Sequence, residues 1–291
     1  MTASYADVEF WTAPDGARLA LRRIVPTDPP RALVLLFHGF GDHSGRYAHV
    51  AEWLAGRGYA VWALDQRGHG RSPGPRGHIS RFAQFLGDVA ALRKRAAGEV
   101  AAPQVLLGHS FGGLVVLRYL ETAPQGLAGA VVTSPFIAVA LKAPAWKLAV
   151  AKLLAGPAPG LGMSTGLDPA LLSTDPAIGR AAKADPLYHS RMTPAAWREI
   201  QAAQVAVVAE ADRVATPLLV LLAGDDRIVA RAASEALARS LPVPPEVVVY
   251  EGMYHEILNE RDQARVLNDL GGWLDRLVAS APPVTGASGK A

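Results

Sequence analysis

The feature that most constrains this chain of 291 residues is a serine placed between two glycines. Gly108, Ser110 and Gly112 form Gly-x-Ser-x-Gly, which follows the apolar run Val105–Leu107 and precedes the helix-like run Leu114–Leu120. In a strand–turn–helix context this pattern is typical of a nucleophile elbow, a strained turn that exposes the serine hydroxyl at the carboxyl edge of a sheet. The positive end of the following helix favours a negative charge there. We therefore predict that Ser110 is a nucleophile.

Strand-like and helix-like runs alternate on both sides of this turn. Solid apolar runs typical of buried strands are Leu33–Phe37, Ala60–Leu64, Leu127–Thr133, Leu218–Ala223 and Val247–Tyr250, and a hairpin is predicted from Val8–Thr12 and Arg18–Ile24. Helical runs are Tyr47–Arg57, Phe82–Ala97, Ala232–Ser240 and Ile257–Val278. This alternation predicts an α/β fold with a mainly parallel eight-stranded sheet that is covered by helices on both faces.

The alternation stops in the middle of the chain, where no strand-like run is found. Pro144–Leu154 and Pro194–Glu210 look helical, and Thr193 before the second of them is a good N-cap followed by proline at the first helical position. We predict a helical cap inserted into the sheet domain, and a tail that is disordered because it is small, polar and rich in Pro and Gly. The predicted boundaries are 1–135 and 214–279 for the core, 136–213 for the cap and 280–291 for the tail.

A nucleophilic serine requires a base and an acid, and in the α/β-hydrolase arrangement the order along the chain is serine, acid, histidine. Of the eight histidines, only His189 and His255 follow Ser110. His189 falls inside the predicted cap. His255 follows the strand Val247–Tyr250, at the carboxyl edge where open α/β sheets form their sites. We therefore predict that His255 is the base.

The acid is expected after the strand Leu218–Ala223, where Asp225 and Asp226 are neighbours. Either carboxylate could orient the histidine, while the other would lie in a turn or cap the next helix. An oxyanion hole requires two backbone N–H groups. They are expected from Phe111, which follows the serine, and from Phe40, in the loop after an early strand.

Composition excludes several classes of protein. Without cysteine, the chain can form no disulfide, thiolate metal site or catalytic thiol. The net charge is only +3 and no Lys/Arg-rich run is present, so we expect no nucleic-acid partner. Met1–Phe10 carries acidic residues and lacks an apolar signal core, and no uncharged apolar run reaches the ~18 residues of a membrane span. A cytoplasmic protein is the expectation.

Several motifs together resemble those of monoacylglycerol lipases and bacterial lysophospholipase-like enzymes. They are His38–Tyr47, Asp65–Ser72, Gly108–Gly113, Tyr254–His255 and, in the cap, Lys183–Leu187. The similarity extends over about residues 10–278. It implies a serine hydrolase, without cofactor or metal, that cleaves the ester of a single-chain lipid. Monoacylglycerol is the expected substrate, and a lysophospholipid or another apolar ester is the alternative. A third hypothesis is an inactive hydrolase fold that binds a ligand, although no member of the triad is missing.

The resemblance also assigns individual positions. In the family the acid lies in a Gly-x-x-Asp-Arg pattern before a valine, which favours Asp226, but one residue fewer follows Gly224 here and Asp225 stays open. Asp42 and Arg46 correspond to positions near the glycerol end of the pocket in relatives, where the family often has Glu in place of Asp42. They are therefore the expected substrate-binding residues. Another departure is Leu258, where relatives often have a polar residue.

The remaining expectations concern the acyl chain. Methionine is common after the family's serine, so the larger ring of Phe111 is expected to narrow or reshape the acyl pocket. The cap segment Phe136–Gly166 carries only three charges, at Lys142, Lys147 and Lys152. It is therefore expected to form an apolar tunnel entrance and to contact lipid surfaces transiently.

Overall fold

The computed structural model describes residues 4–141, 153 and 156–280 of the chain. Its strands are β1 (Glu9–Thr12), β2 (Arg18–Ile24), β3 (Leu33–Phe37), β4 (Ala60–Leu64), β5 (Gln104–His109), β6 (Leu127–Thr133), β7 (Met163–Ser164), β8 (Arg191–Met192), β9 (Leu218–Ala223) and β10 (Glu246–Tyr250). Eight of them form one sheet in the order β1-β2-β4-β3-β5-β6-β9-β10. Only β2 runs against its neighbours in this sheet. The predicted mainly parallel eight-stranded sheet is confirmed.

Helices cover both faces of the sheet. The described helices are α1 (Ala48–Gly56), α2 (Ala83–Glu99), α3 (Phe111–Leu120), α4 (Pro176–Ala184), α5 (Pro194–Ala209), α6 (Arg231–Ser240) and α7 (Gln263–Ser280). Alternate residues of β3 enter different cores: Leu35 packs in the core with α2, α3 and α5, and Leu36 in the core with α1 and α7. Burial on both faces explains why the strands are uniformly apolar rather than alternating.

The closing helix differs from its prediction. Instead of one helix from residue 257 to 278, a 3-10 turn at Ile257–Asn259 is separated from α7 by residues 260–262, and the backbone of Glu260 is extended. The Glu260 carboxylate accepts hydrogen bonds from the backbone N–H of Thr174 and of Tyr254, both 2.8 Å. The contact with Thr174, which is 86 positions away in the chain, holds the backbone out of the helix.

The segment between β6 and β9, residues 134–217, is named the inserted segment below. Its helix α5 begins as predicted, with Pro194 at the first position and the Thr193 hydroxyl accepting from the Ala196 N–H. The described part of the segment is not helical alone, because β7 and β8 form a short antiparallel pair that the sequence did not indicate. Helix α4 was not predicted, although Asp175 and Pro176 carry the same N-terminal signature.

Two predictions fall on parts of the chain outside the described residues. These are the helix at 144–154, apart from Leu153, and the tail at 280–291, apart from Ser280. Within the described ranges, no helix combines the length and the apolar character that crossing a bilayer requires.

Candidate active site

Ser110 lies in the predicted turn between β5 and α3. Its backbone φ of 52° and ψ of −113° are in a region that non-glycine residues rarely occupy. Hydrogen bonds hold this strained conformation, since the Ser110 N–H donates to Thr133 and the Ser110 carbonyl accepts from Phe136. A side chain at Gly112 would overlap the Phe37 carbonyl oxygen. The turn therefore needs a glycine where the motif has one.

The structure brings Asp226, and not Asp225, to His255. The Asp226 Oδ2 atom lies 2.8 Å from His255 Nδ1. The Asp226 Oδ1 atom accepts from the backbone N–H groups of Ile228 and Val229, at 2.9 Å each. One oxygen thus anchors the carboxylate while the other meets the ring. The neighbouring Asp225 is exposed.

The electrostatics of this pair favour a charged histidine beside a charged acid. Burial, the largest single influence, works against ionisation of both groups, but their mutual attraction and hydrogen bond, added to the other nearby hydrogen bonds and charges, exceed it. The pKa of Asp226 is consequently lowered, and the pKa of His255 is raised above its usual value of 6.5. The Asp226 carboxylate can only accept, so the neutral form of His255 carries its proton on Nδ1 and leaves Nε2 available as a base. Among the described residues no hydrogen bond joins Ser110 Oγ to His255, a contact that often tightens only with substrate.

The backbone N–H groups of Phe40 and Phe111 have no hydrogen-bond partner among the described residues. The loop after β3, residues 38–43, passes next to the serine: a Cβ on Gly39 would lie 3.5 Å from the Ser110 Cβ. The arrangement can therefore offer two donors to an oxygen bound near Ser110.

Two further histidines near this site, His38 and His109, are buried and hydrogen-bonded to the protein beneath it. His38 Nε2 accepts from the Gln66 N–H at 2.9 Å, and burial lowers the pKa of His38. His109 Nδ1 lies 2.9 Å from the Thr133 hydroxyl, and burial together with the nearby His255 lowers the pKa of His109 to about 3. Both are thus neutral near pH 7 and hold the turn in place.

A cavity of about 440 Å³ opens above the serine. Ser110, His255 and Phe40 line it, and the inserted segment supplies most of its apolar wall. The apolar side chains from this segment are Phe136, Val139, Leu141, Met163, Leu167, Leu172, Met192 and Trp197. The site therefore combines a small polar centre with a large apolar surface.

The expectation for the Phe111 ring is wrong. The ring is fully buried and is not part of the cavity lining. It packs edge-on against Phe40, Phe82 and Phe85, with centroid distances of 5.6, 5.9 and 5.3 Å. As the first residue of α3, Phe111 directs its side chain into the core, while its backbone N–H directly follows Ser110 in the chain.

The two predicted substrate-binding residues are placed differently. Asp42 lines the cavity, whereas Arg46 does not. Arg46 instead binds both oxygens of Glu256, at 2.7 Å each, and Asp42 at 3.1 Å. Sequence reasoning missed Glu256, for which the only signal is its position next to His255. It also set aside His189, which lines the cavity from the inserted segment.

The inserted segment also holds the loop of residues 38–43. The His189 N–H donates to the Gly41 carbonyl at 2.8 Å, and His43 Nε2 lies 2.9 Å from Asp185 Oδ2. The Phe40 ring packs edge-on against His189, with centroids 6.0 Å apart. The loop that carries the Phe40 N–H is thus held between the sheet and the inserted segment.

Comparisons with known proteins agree with this architecture. The family described as "Serine aminopeptidase, S33" matches residues 28–262. The chain is 34% identical over 277 residues to a monoacylglycerol lipase of Mycolicibacterium smegmatis, covering 94% of this chain and 99% of that protein. It is 36% identical over 272 residues to an uncharacterized abhydrolase domain-containing protein of Dictyostelium discoideum, covering 92% of this chain but only 29% of that protein.

A crystal structure of the Paleococcus ferrophilus monoacylglycerol lipase superposes with a TM-score of 0.81 and 34% identity, covering 90% of this chain and 99% of that one. The likeness thus extends over the sheet and the inserted segment alike. The chain belongs to the serine aminopeptidase S33 family, and it is a carboxylic ester hydrolase with the α/β-hydrolase fold of the monoacylglycerol lipases.

Proposed function

We propose that this protein hydrolyses the ester of a single-chain lipid, with monoacylglycerol as substrate and glycerol and a fatty acid as products. The observation that carries the proposal is that Ser110 and the Asp226-bonded His255 line one cavity whose remaining walls are largely apolar. A relative named monoacylglycerol lipase that is similar over nearly the whole chain supports the substrate class.

In the proposed mechanism the Ser110 hydroxyl attacks the ester carbonyl while His255 Nε2 takes its proton. The Phe40 and Phe111 N–H groups donate to the oxyanion, and Asp226 stabilises the imidazolium. His255 then gives the proton to the leaving alcohol, and an acyl ester remains on Ser110. Water, deprotonated by His255, attacks this ester, which releases the fatty acid and returns the proton to the serine. No cofactor or metal enters these steps.

The acyl chain is proposed to lie against the apolar wall of the inserted segment, where each buried methylene contributes about 0.8 kcal/mol. Residues 136–213 would then act as a lid over the chain. The lid would also touch lipid surfaces transiently, since Leu153 and Leu161 are exposed there.

The test is hydrolysis of a medium-chain monoacylglycerol, followed by release of glycerol. Ser110→Ala should reduce kcat by at least ~10³-fold because the nucleophile is lost. The matched control is Ser80→Ala, an exposed serine outside the cavity, which should act as the wild type. A fluorophosphonate should label the wild type but not Ser110→Ala.

The outcomes separate the hypotheses. Unchanged turnover in Ser110→Ala would remove Ser110 from the mechanism. Hydrolysis of lysophospholipid or aryl esters without hydrolysis of monoacylglycerol would establish the alternative substrate class. Failure of the wild type both to hydrolyse esters and to be labelled would support a ligand-binding protein.

A further inference from the structure

The cavity wall beside His255 carries two carboxylates. Asp42 and Glu256 both line the cavity, and their side chains are only 3% and 4% exposed. Arg46 lies between them and neutralises one of the two charges through its bonds to both. The cluster of Asp42, Arg46 and Glu256 therefore keeps an excess of one negative charge.

The two acidic residues of this cluster line the cavity, whereas its basic residue does not. Tyr188 lines the cavity, but Arg46 does not. The Arg46 guanidinium lies 5.5 Å from the centre of the Tyr188 ring. Its N–H groups are directed at Asp42 and Glu256. A ligand in the cavity therefore lies against the acidic residues of the cluster and not against its basic residue.

The rest of the described lining does not compensate for this charge. It contains no Lys or Arg side chain. Of its histidines, His109 and His189 are neutral, since burial lowers their pKa values to about 3 and about 4. The remaining histidine, His255, is paired with Asp226, so the charges of these two groups offset each other.

The two carboxylates act on the groups around the reacting centre. Burial is the largest influence that raises the pKa of the Tyr188 hydroxyl, Glu256 and Asp42 raise it further, and the opposing effect of Arg46 is smaller than theirs. Burial, the largest single influence, works against a charged His255, but Asp226, Glu256 and Asp42 together raise its pKa. Their field therefore extends across the His255 side of the cavity, where low polarity weakens screening.

This is the side on which the leaving alcohol must lie, because His255 has to reach the leaving oxygen to protonate it. We propose that Glu256, together with Asp42, makes the leaving-group side of the cavity anionic, so that the enzyme accepts esters of uncharged alcohols and rejects esters whose alcohol carries phosphate or carboxylate. This inference rests on the proposed ester hydrolysis and names the class of leaving group.

The experiment compares two chromogenic esters with the same acyl chain, para-nitrophenyl octanoate and its ring-carboxylated analogue. Each kcat/KM is divided by the rate of hydroxide hydrolysis of the same ester. The wild type should prefer the neutral ester by at least ~10-fold, because the carboxylate on the ring of the charged ester is repelled by the negative charge of Glu256 and Asp42. Glu256→Gln keeps the shape but removes the charge, and should narrow the preference at least ~3-fold.

The matched control is Glu251→Gln, which removes one charge from a glutamate whose side chain is 75% exposed. It should leave the preference unchanged. Equal narrowing in Glu251→Gln, no narrowing in Glu256→Gln, or a wild-type ratio near one would each overturn the proposal. If Glu256→Gln does not fold, the wild-type ratio and Asp42→Asn decide instead.

A second pair, octanoyl glycerol and octanoyl glycerol phosphate, separates this inference from the proposed function. Hydrolysis of both at similar rates would overturn the inference and leave the lipase function in place. Discrimination between the aryl esters without hydrolysis of either glycerol ester would overturn monoacylglycerol as substrate and support the anionic wall.

Discussion

At the scale of single residues, the choice between two neighbouring aspartates decides the chemistry of the site. Asp226 has one oxygen fixed by backbone N–H groups and presents the other to His255, while Asp225 is exposed. An acid fixed in this way holds the ring in one orientation and one tautomer. The exposed carboxylate of Asp225 cannot fix either the orientation or the tautomer of the ring.

The pKa of His255 leads to a prediction about pH. In the proposed mechanism His255 must be neutral to accept the serine proton, and its pKa is raised above 6.5. The kcat/KM of the wild type should therefore fall as pH is lowered through a pKa above 6.5, and not through a lower one. Asp226→Asn should move this limb to lower pH, because the charge that favours the imidazolium is gone, and should reduce kcat about 10⁴-fold.

The measurement is the pH profile of kcat/KM on an uncharged ester. Asp225→Asn is the matched control and should keep both the rate and the limb of the wild type. The reverse result, with Asp225→Asn impaired and Asp226→Asn normal, would show that the other aspartate is the acid.

At the scale of elements, β5, its turn and α3 form one unit that depends on close backbone contact. The chain passes so near the end of β3 that a Cβ on Gly112 would overlap the carbonyl oxygen of Phe37. To remove this overlap, β3 or α3 would have to move. Either movement would displace an N–H group that the proposed mechanism uses, because Phe40 lies in the loop after β3 and Phe111 is the first residue of α3.

Gly112→Ala should therefore lower the free energy of unfolding by about 1–3 kcal/mol and also reduce activity. Gly98→Ala is the control: it lies in α2, its Cβ would meet no atom within 4 Å, and it should stabilise the protein by about 0.5–1 kcal/mol. Urea unfolding measures both. A Gly112→Ala protein that unfolds at the wild-type urea concentration would contradict the close contact.

At the scale of the whole molecule, the inserted segment touches the sheet domain at the loop of residues 38–43. Asp185 binds His43 and the His189 N–H binds the Gly41 carbonyl. His43 Nδ1 accepts from the Gly45 N–H, so Nε2 carries the proton that is given to Asp185. The position of the Phe40 N–H thus depends on a segment far away in sequence.

Asp185→Ala should reduce kcat about 10- to 100-fold with little change in KM, because a displaced donor weakens the transition state more than the bound ester. The affinity for an alkyl trifluoromethyl ketone, which mimics the tetrahedral state, should fall in proportion. Asp175→Ala, which removes only the N-cap of α4, should lower stability by about 1 kcal/mol without changing that affinity. Equal loss of affinity in both variants would mean that the segment acts through general stability.

Much of the fold can be predicted because its signals are local. A strand buried on both faces is a continuous apolar run, and the N-cap of α5 is written in Thr193-Pro194. The break before α7 cannot be predicted in this way, because it depends on the carboxylate of Glu260 meeting Thr174. The direction of the Phe111 ring depends likewise on where Phe82 and Phe85 of the neighbouring helical region lie.

The same division holds for the site. The order of residues along the chain was sufficient to find the serine turn, to select His255 and to reduce the acid to two candidates, because these follow from strand ends that share one edge of a parallel sheet. Only the folded chain joined Asp226 to His255 and enclosed Arg46 between Asp42 and Glu256. Arg46 and Glu256 are 210 positions apart. Such contacts depend on how the loops after β3 and β10 are packed together. No local pattern of residues can predict a contact between positions so far apart in the sequence.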